Sequence, residues 1–439
     1  MNIQAQHLIE KWSPVLDHES MPKISDNWRR TVTAIMLENQ EVANREARNA
    51  NGGILVEHDT NTGAIQGYDP VLISMVRRSM PQLIAYDVMG VQPMTMPTGL
   101  IFAMRARYND ENVPPMFDGA EALFNEADSA FSGAGTQAGT DPTAGGYTTG
   151  TGEATATAEQ WGSGGGSPEI PEMGFSIEKV SVTARSRKLK AQYTVELAQD
   201  LKNVHGLDAE SELANILSTE ILAEINREAI RTLYIAATPG SQVDVATPGT
   251  FDLDVDSNGR WSAEKFKGLM FNIDRDANAV ARATRRGKGN VMICSSDVAS
   301  ALQMAGVLDY APAIQNQLEV DDAGSTFAGV ANGRIRVYID PYFNGTDNYY
   351  VIGYKGSNPF DAGMFYAPYV PLQMSRAMAE DSFQPRIAFM TRYGMTGNPF
   401  AYDEAAVGSR DQDRQIDPLG GGFTNSNVYY RKSKIVNIM

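Results

Sequence analysis

The chain has 439 residues, 42% of them hydrophobic, and a formal net charge of −16. That length allows two or three packed regions, and the acidic balance argues against general nucleic-acid binding, which needs clustered Lys and Arg to neutralise phosphates. One cysteine, Cys294, excludes an intrachain disulfide; no run approaches the ~20 apolar residues of a membrane span, and residues 1–14 lack the regions of a signal peptide, so synthesis and folding in a cytoplasm are expected.

Residues 1–51 read as a polar, helix-rich leader. A helix is expected over Asp26–Ala47, with Trp28, Val32, Ile35 and Met36 on one side. Asn49–Gly53 breaks it. Residues 54–67 are poor in core residues and read as a hinge or processing site. A helix starts at Asp69-Pro70 and is interrupted at Pro81. Leu83–Val91 is mostly apolar, and Pro93, Pro97 and Gly99 form a corner. Leu100–Tyr108 alternates as a strand.

Residues 109–172 contain no Lys and no Arg. Ala120–Phe131 has helical patterning. The rest is rich in Gly, Thr, Ala and Ser, and is expected to be a long flexible excursion between the strands Leu100–Tyr108 and Phe175–Arg187. Two strands joined by such a tip make an arm that needs a neighbour to lie on.

The stretch Met173–Ala237 organises the chain. After the strand comes an amphipathic segment, Thr194–Val204. Gly206 breaks it, and Asp208 is a good N-cap. A helix then runs to about Tyr234, with Leu213, Leu217, Ile221 and Ile225 at i+4. That spacing drifts by about 40° per step on a 3.6-residue helix, and roughly 27 residues span about 40 Å. The winding stripe, broadened by Leu222, Ala229 and Leu233, predicts a backbone on which several layers pack.

Beyond a loop-rich connection at Thr238–Gly259, Ser262 is expected to cap a helix ending at Arg282. Arg285–Gly289 turns into a strand at Asn290–Cys294, and Asp297–Ala305 is a short helix. Strands follow at Arg334–Ile339, Tyr349–Tyr354, Phe365–Leu372, Ile387–Tyr393 and Val428–Ile438. The alternation predicts an α+β body.

A search for chemistry finds no carrier residue. The histidines His7, His18, His58 and His205 lie far apart without metal-ligand spacing, so no metal or cofactor is expected. Arg282 stands where a Walker loop needs its first Gly, and Gly289 where it needs a hydroxyl. No Ser elbow with a downstream His is present. Asp321-Asp322 and Glu380-Asp381 read as solvated turns. Cys294, in the run Val291-Met292-Ile293-Cys294, reads as a small buried hydrophobe. The chain is not expected to be an enzyme.

Several long blocks carry a resemblance. They include Met75-Val76-Arg77-Arg78-Ser79-Met80-Pro81-Gln82-Leu83, Gly90-Val91-Gln92-Pro93-Met94, Ser186-Arg187-Lys188-Leu189-Lys190-Ala191, Glu224-Ile225-Asn226-Arg227-Glu228, Val337-Tyr338-Ile339-Asp340, Gly353-Tyr354-Lys355-Gly356 and Thr391-Arg392-Tyr393-Gly394. In this order they resemble the major capsid protein of T-even-like tailed phages. The resemblance implies a Hong Kong 97-type fold: an N-terminal arm, an extended two-stranded loop, a peripheral domain with a long spine helix, and an axial domain. On this chain it suggests a leader at 1–57, an arm at 58–99, the loop at 100–187 with its tip at 109–172, a peripheral domain at 188–259 and 375–439, and an axial domain at 260–374.

The implied function is a self-assembling head subunit. Its hexamers would tile a shell around double-stranded DNA, without sequence-specific contact to it. Implied partners are a scaffold, a prohead protease, vertex and portal proteins, and decoration proteins. The family's protease cuts after Leu or Ile, any residue, Glu, with a small residue following. Leu55-Val56-Glu57 matches, while His58 departs from the last position. Leu8-Ile9-Glu10 and Leu222-Ala223-Glu224 match too, but only Glu57 lies in a hinge. Two further departures are a short tip in place of a folded insertion, and no Lys in 109–172 for a covalent weld. The rivals are the pentameric vertex protein of the same phages and a nanocompartment shell. A hydrolase or glycan-binding module would need a triad, a metal set or a secretion signal.

Overall fold

The computed structural model describes residues 3–18, 23–24, 26–50, 76–77, 80–108, 122–123, 126–139, 142–143, 145–162, 170–257, 259, 261–310, 326–342, 348–378, 384–398, 401 and 425–438. It divides into two compact units, 1–101 with 180–439, and 102–179.

In the larger unit the leader forms α1 (Ile3–Leu16) and α2 (Asn27–Ala50). The Asp26 carboxylate starts α2 by accepting the Trp28 amide at 2.9 Å. A 3-10 turn at Met80–Gln82 contains Pro81, followed by α3 (Ala85–Val88) and β1 (Gly90–Val91). A Cβ at Gly90 would stand 2.4 Å from the Pro359 carbonyl oxygen, so only glycine lets β1 approach. β2 (Thr98–Tyr108) pairs with β3 (Met173–Thr183). The expected single strand over Phe175–Arg187 is broken at Ala184, whose amide bonds Pro97 O at 2.8 Å. Beyond it β4 (Arg185–Gln192) joins another sheet. The pattern stays strand-like throughout; the partner changes.

α5 (Val195–His205) is capped at Thr194, whose hydroxyl accepts the Leu197 amide at 3.2 Å. (A short helix, α4, lies at Thr155–Ala158 in the smaller unit.) α5 ends at Gly206 with φ +68°, a left-handed turn suited to glycine. α6 (Ala209–Ala236) is the long helix, 28 residues. Asp208 occupies its N-cap, though its side chain makes no capping bond. β5 (Ala237–Pro239), β6 (Thr250–Asp252) and α7 (Ser262–Thr284) follow. The cap of α7 is Trp261, not Ser262: the Glu264 carboxylate reaches back to the Trp261 amide and sets the start one residue earlier. Then come β7 (Val291–Cys294), α8 (Ser296–Met304), β8 (Leu308–Tyr310), β9 (Thr326–Ala331), β10 (Ile335–Ile339), β11 (Asn348–Gly353), β12 (Met364–Met378), β13 (Pro385–Gly397) and β14 (Asn427–Val436).

Two sheets form. One runs β1-β12-β13-β4; the other runs β5-β14-β11-β7-β10-β9-β8, with β6 also on β14. The larger sheet is covered on both faces. Val291, Ile293, Tyr338 and Val351 face a cluster with α3 and the C-terminal half of α6. Met292, Cys294, Val337 and Ile352 face one with α7 and α8. That is the period-two alternation of a strand buried on both sides. The smaller sheet packs Tyr366, Leu372, Ile387 and Phe389 against α2 and the N-terminal half of α6. Sheet membership crosses the expected 260–374 division: β12 lies in the smaller sheet, while β14 lies in the larger one.

In the unit 102–179 the described tip is ordered by its own backbone. Ala134 and Thr151 exchange two bonds of 2.8 Å, and the Thr148 amide bonds Ala138 O at 2.9 Å. The helix expected over Ala120–Phe131 is absent from its described residues, which form bends and turns, with Leu123 at φ +76°. Phe131 instead packs on Tyr108, ring centroids 4.4 Å apart. Ala120, Glu121, Phe124 and Asn125 lie outside the described residues.

Candidate assembly surfaces

The working features of this body are joints between layers and the apolar faces left over. α6 carries one joint on each side of a single turn. Glu224 and Glu228 face the smaller sheet. Arg187 of β4 donates to Glu224 at 2.9 Å and to Glu228, and Tyr393 of β13 also donates to Glu228. Burial alone would lower the Arg187 pKa, but Glu228 and Tyr393 win and raise it. Arg227 faces the larger sheet and lies 2.7 Å from both oxygens of Asp340. Tyr349 and Tyr234 donate to the same carboxylate at 2.7 and 3.0 Å. Burial pushes Asp340 up, yet these donors hold its pKa below the ordinary value.

A third joint centres on Asp87 of α3. Arg29 of α2 reaches it at 2.6 Å and Arg336 of β10 at 3.3 Å. Nearby, Lys355 turns its ammonium onto the Tyr86 carbonyl, and burial lowers its pKa to about 8. Cys294 is buried and its thiol pushed up to about 12 by that burial, as its apolar run predicts. In sequence Asp340 stands out only as the last residue of the block Val337-Tyr338-Ile339-Asp340, and nothing local marks Asp87 as a joint. The signal available was an acid following a buried strand, Tyr338-Ile339-Asp340.

Unpaired apolar surface lies elsewhere. No residue of α5 is buried, and Val195, Leu197, Val204 and Leu207 are exposed. Within 102–179, β2 exposes Phe102 and Met104, and β3 exposes Met173, Phe175 and Ile177. Alternate residues on both strands thus present large apolar side chains to solvent, which marks an association surface.

Leu55, Glu57 and His58, the expected processing residues, lie outside the described residues. The two competing motif matches are inside helices: Leu8-Ile9-Glu10 in α1, and Leu222-Ala223-Glu224 in α6, where Leu222 is buried and Glu224 is held by Arg187. Among the described residues no His, Cys, Asp or Glu group is arranged to hold a metal, and no helix is long and apolar enough to cross a membrane.

Residues 65–435 match the family of the major capsid protein Gp23. The major capsid protein of Serratia phage KSP90 is 41% identical, over 98% of this chain and 97% of that protein. That of Enterobacteria phage T4 is 36% identical over 98% of each. The capsid vertex protein of Escherichia phage AR1 is 27% identical over 53% of this chain and 54% of its own length. Among solved structures, the capsid of Myoviridae phage XM1 aligns with a TM-score of 0.41 and 10% identity, over 88% of this chain and 100% of that chain.

Proposed function

Because the chain belongs to the Gp23 major capsid protein family and is thus a structural protein of the phage virion, we propose that it is the hexamer-forming subunit of a head shell enclosing double-stranded DNA. The observation that carries this reading is likeness to major capsid proteins over 98% of the chain, against 53% for a vertex protein. The described elements fit the Hong Kong 97-type roles. α6 serves as the spine, the β2–β3 pair as the extended loop, the smaller sheet as peripheral, and α7, α8 and strands β7 to β11 as axial, with β5, β6 and β14 joining the larger sheet from the peripheral segments. The apolar residues of β2 and β3 give each subunit a face to lay on its neighbour. A net charge of −16 suits a container that should release its DNA.

Maturation by cleavage after Glu57 is the second part of the proposal. Its support is the Leu55-Val56-Glu57 motif in a Gly and Asn-rich stretch, with the rival motifs folded into helices. The family match itself begins at residue 65. A scaffold, a prohead protease, vertex and portal proteins and decoration proteins are the partners this scheme requires.

The test is the intact mass of this chain in megadalton particles sedimented from an infected-cell lysate. A mass lacking residues 1–57 supports shell assembly and the cut together. A full-length chain in such particles rejects the cut alone. Absence of the chain from any large particle rejects the shell role.

A further inference from the structure

The two leader helices, α1 and α2, are built into the body. α1 and α2 are tied to each other by Lys11 to Glu38 at 2.7 Å and Glu41 at 2.6 Å, and by Arg30 to Asp17 at 2.6 Å. Trp12 also donates its indole N–H to Glu38 at 3.1 Å. The pair turns Trp12, Leu16, Val32, Ala34, Met36 and Leu37 inward, all buried. They share one apolar cluster with Leu83 and Tyr86, Ile225 of α6, and Tyr366, Leu372 and Phe389 of the smaller sheet.

Hydrogen bonds set the register of this docking. Trp28 donates its indole N–H to Val91 O at 3.2 Å. Arg29 bonds Pro81 O at 2.8 Å as well as Asp87. The Asn39 amide group donates to Met94 O at 2.7 Å and Tyr369 O at 2.9 Å, and Gln40 accepts the Leu372 amide at 3.4 Å. From the body, Arg77 donates to Leu16 O at 2.8 Å. The buried hydroxyls Thr31 and Thr33 bond their own helix at Asn27 O and Arg29 O. These bonds pair most of the polar groups at the contact, while Arg30 Nε, Gln40 Nε2 and the Tyr86 hydroxyl are buried without one among the described residues, and the apolar cluster between them is packed as a domain core is.

Cutting the chain between 51 and 58 breaks a peptide bond and none of these contacts. It removes only the high effective concentration that a tether supplies. We infer that the leader is a ligand of its own body: the two-helix segment 3–50 stays docked on the face formed by residues 80–94, the smaller sheet and the N-terminal half of α6 after it is cut free. Its departure then requires that face to repack, so cutting and release are separate steps. The inference rests on the cleavage reading only for the place of the natural cut.

The test uses the full chain with a recognition site for a sequence-specific protease inserted between Gly53 and Ile54. The purified subunit is cut to completion and passed over a sizing column at about 1 μM. Co-elution of the leader fragment with the body is expected, with a dissociation constant at or below about that concentration. The double variant Arg29→Ala, Asn39→Ala removes the partly buried bonds to Pro81, Asp87, Met94 and Tyr369 while leaving the apolar packing in place, and is expected to weaken retention at least about tenfold. A fragment that leaves the body on cutting, whether the body stays folded or precipitates, overturns the inference. So does equal retention in the double variant. A full-length chain in natural particles would reject the cleavage proposal and leave this result standing, because the cut here is supplied by the experimenter.

Discussion

Asp340 is the residue on which α6 and the larger sheet meet. Its side chain is 0% exposed, and Arg227, Tyr234 and Tyr349 all point at it. Removing one partner of such a buried cluster strands the others. Asp340→Ala should therefore lower the unfolding free energy by about 3 kcal/mol, read by urea denaturation of the isolated subunit. The pH dependence has a definite sign. The folded pKa lies below the ordinary 3.8, so the stabilisation is whole above that value and is lost as pH falls through the folded one. The gap between wild type and Asp340→Asn should be full near about pH 7 and shrink below about pH 4. A gap that stays constant on acidification would show that the ionised carboxylate is not what holds the joint. From sequence Asp340 was one acid among 53 Asp and Glu. Its partners lie on other elements, and no local pattern connects them.

α6 was legible as an element. The i+4 run Leu213, Leu217, Ile221, Ile225 predicted a helix whose buried face winds. The helix indeed serves two clusters, the smaller sheet through Leu217, Ile221 and Ile225, and the larger sheet through Ala229, Ile230 and Leu233. Its boundaries moved by only one or two residues. Two isoleucines separate the helix's roles. Ile225 is 0% exposed and Ile216 is 62% exposed. Ile225→Ala should cost roughly 2–5 kcal/mol in the subunit. Ile216→Ser should change subunit stability by less than about 0.5 kcal/mol and show its effect in assembly. Equal losses in thermal unfolding would reject that division. The helix expected over Ala120–Phe131 failed for the opposite reason. Its apolar spacing was right, but the Gly and Thr-rich chain pairs with itself. Gly150 packs so closely on Ala130 that a Cβ would lie 2.4 Å from the Ala130 amide nitrogen.

For the whole molecule, the exposed residues of β2 and β3 matter most. Phe102 and Phe175 are largely open to solvent in their own subunit. Phe102→Ser with Phe175→Ser should leave the subunit's unfolding transition in place while shifting particles to small oligomers in analytical sedimentation. Loss of subunit folding, or unimpaired particles, would each remove these strands from the assembly surface. The sequence suggested an arm in need of a neighbour, because two long strands joined by a low-complexity tip cannot bury their faces alone.

Local patterning sufficed wherever the physics is local. It placed α6, α7 and the main strands, and identified Cys294 as core. The family blocks added the capsid identity. Packing between distant segments decided the rest. It split one strand-like run at Ala184 between two partners, and assigned β12 and β14 to opposite sheets. It drew Asp87 and Asp340 into joints with arginines from other elements. Most of all, it made the helices of a leader that reads as polar and helix-rich part of the core. A chain's propensity to form a helix is written in neighbouring residues, but what that helix covers depends on which apolar face the rest of the fold leaves open.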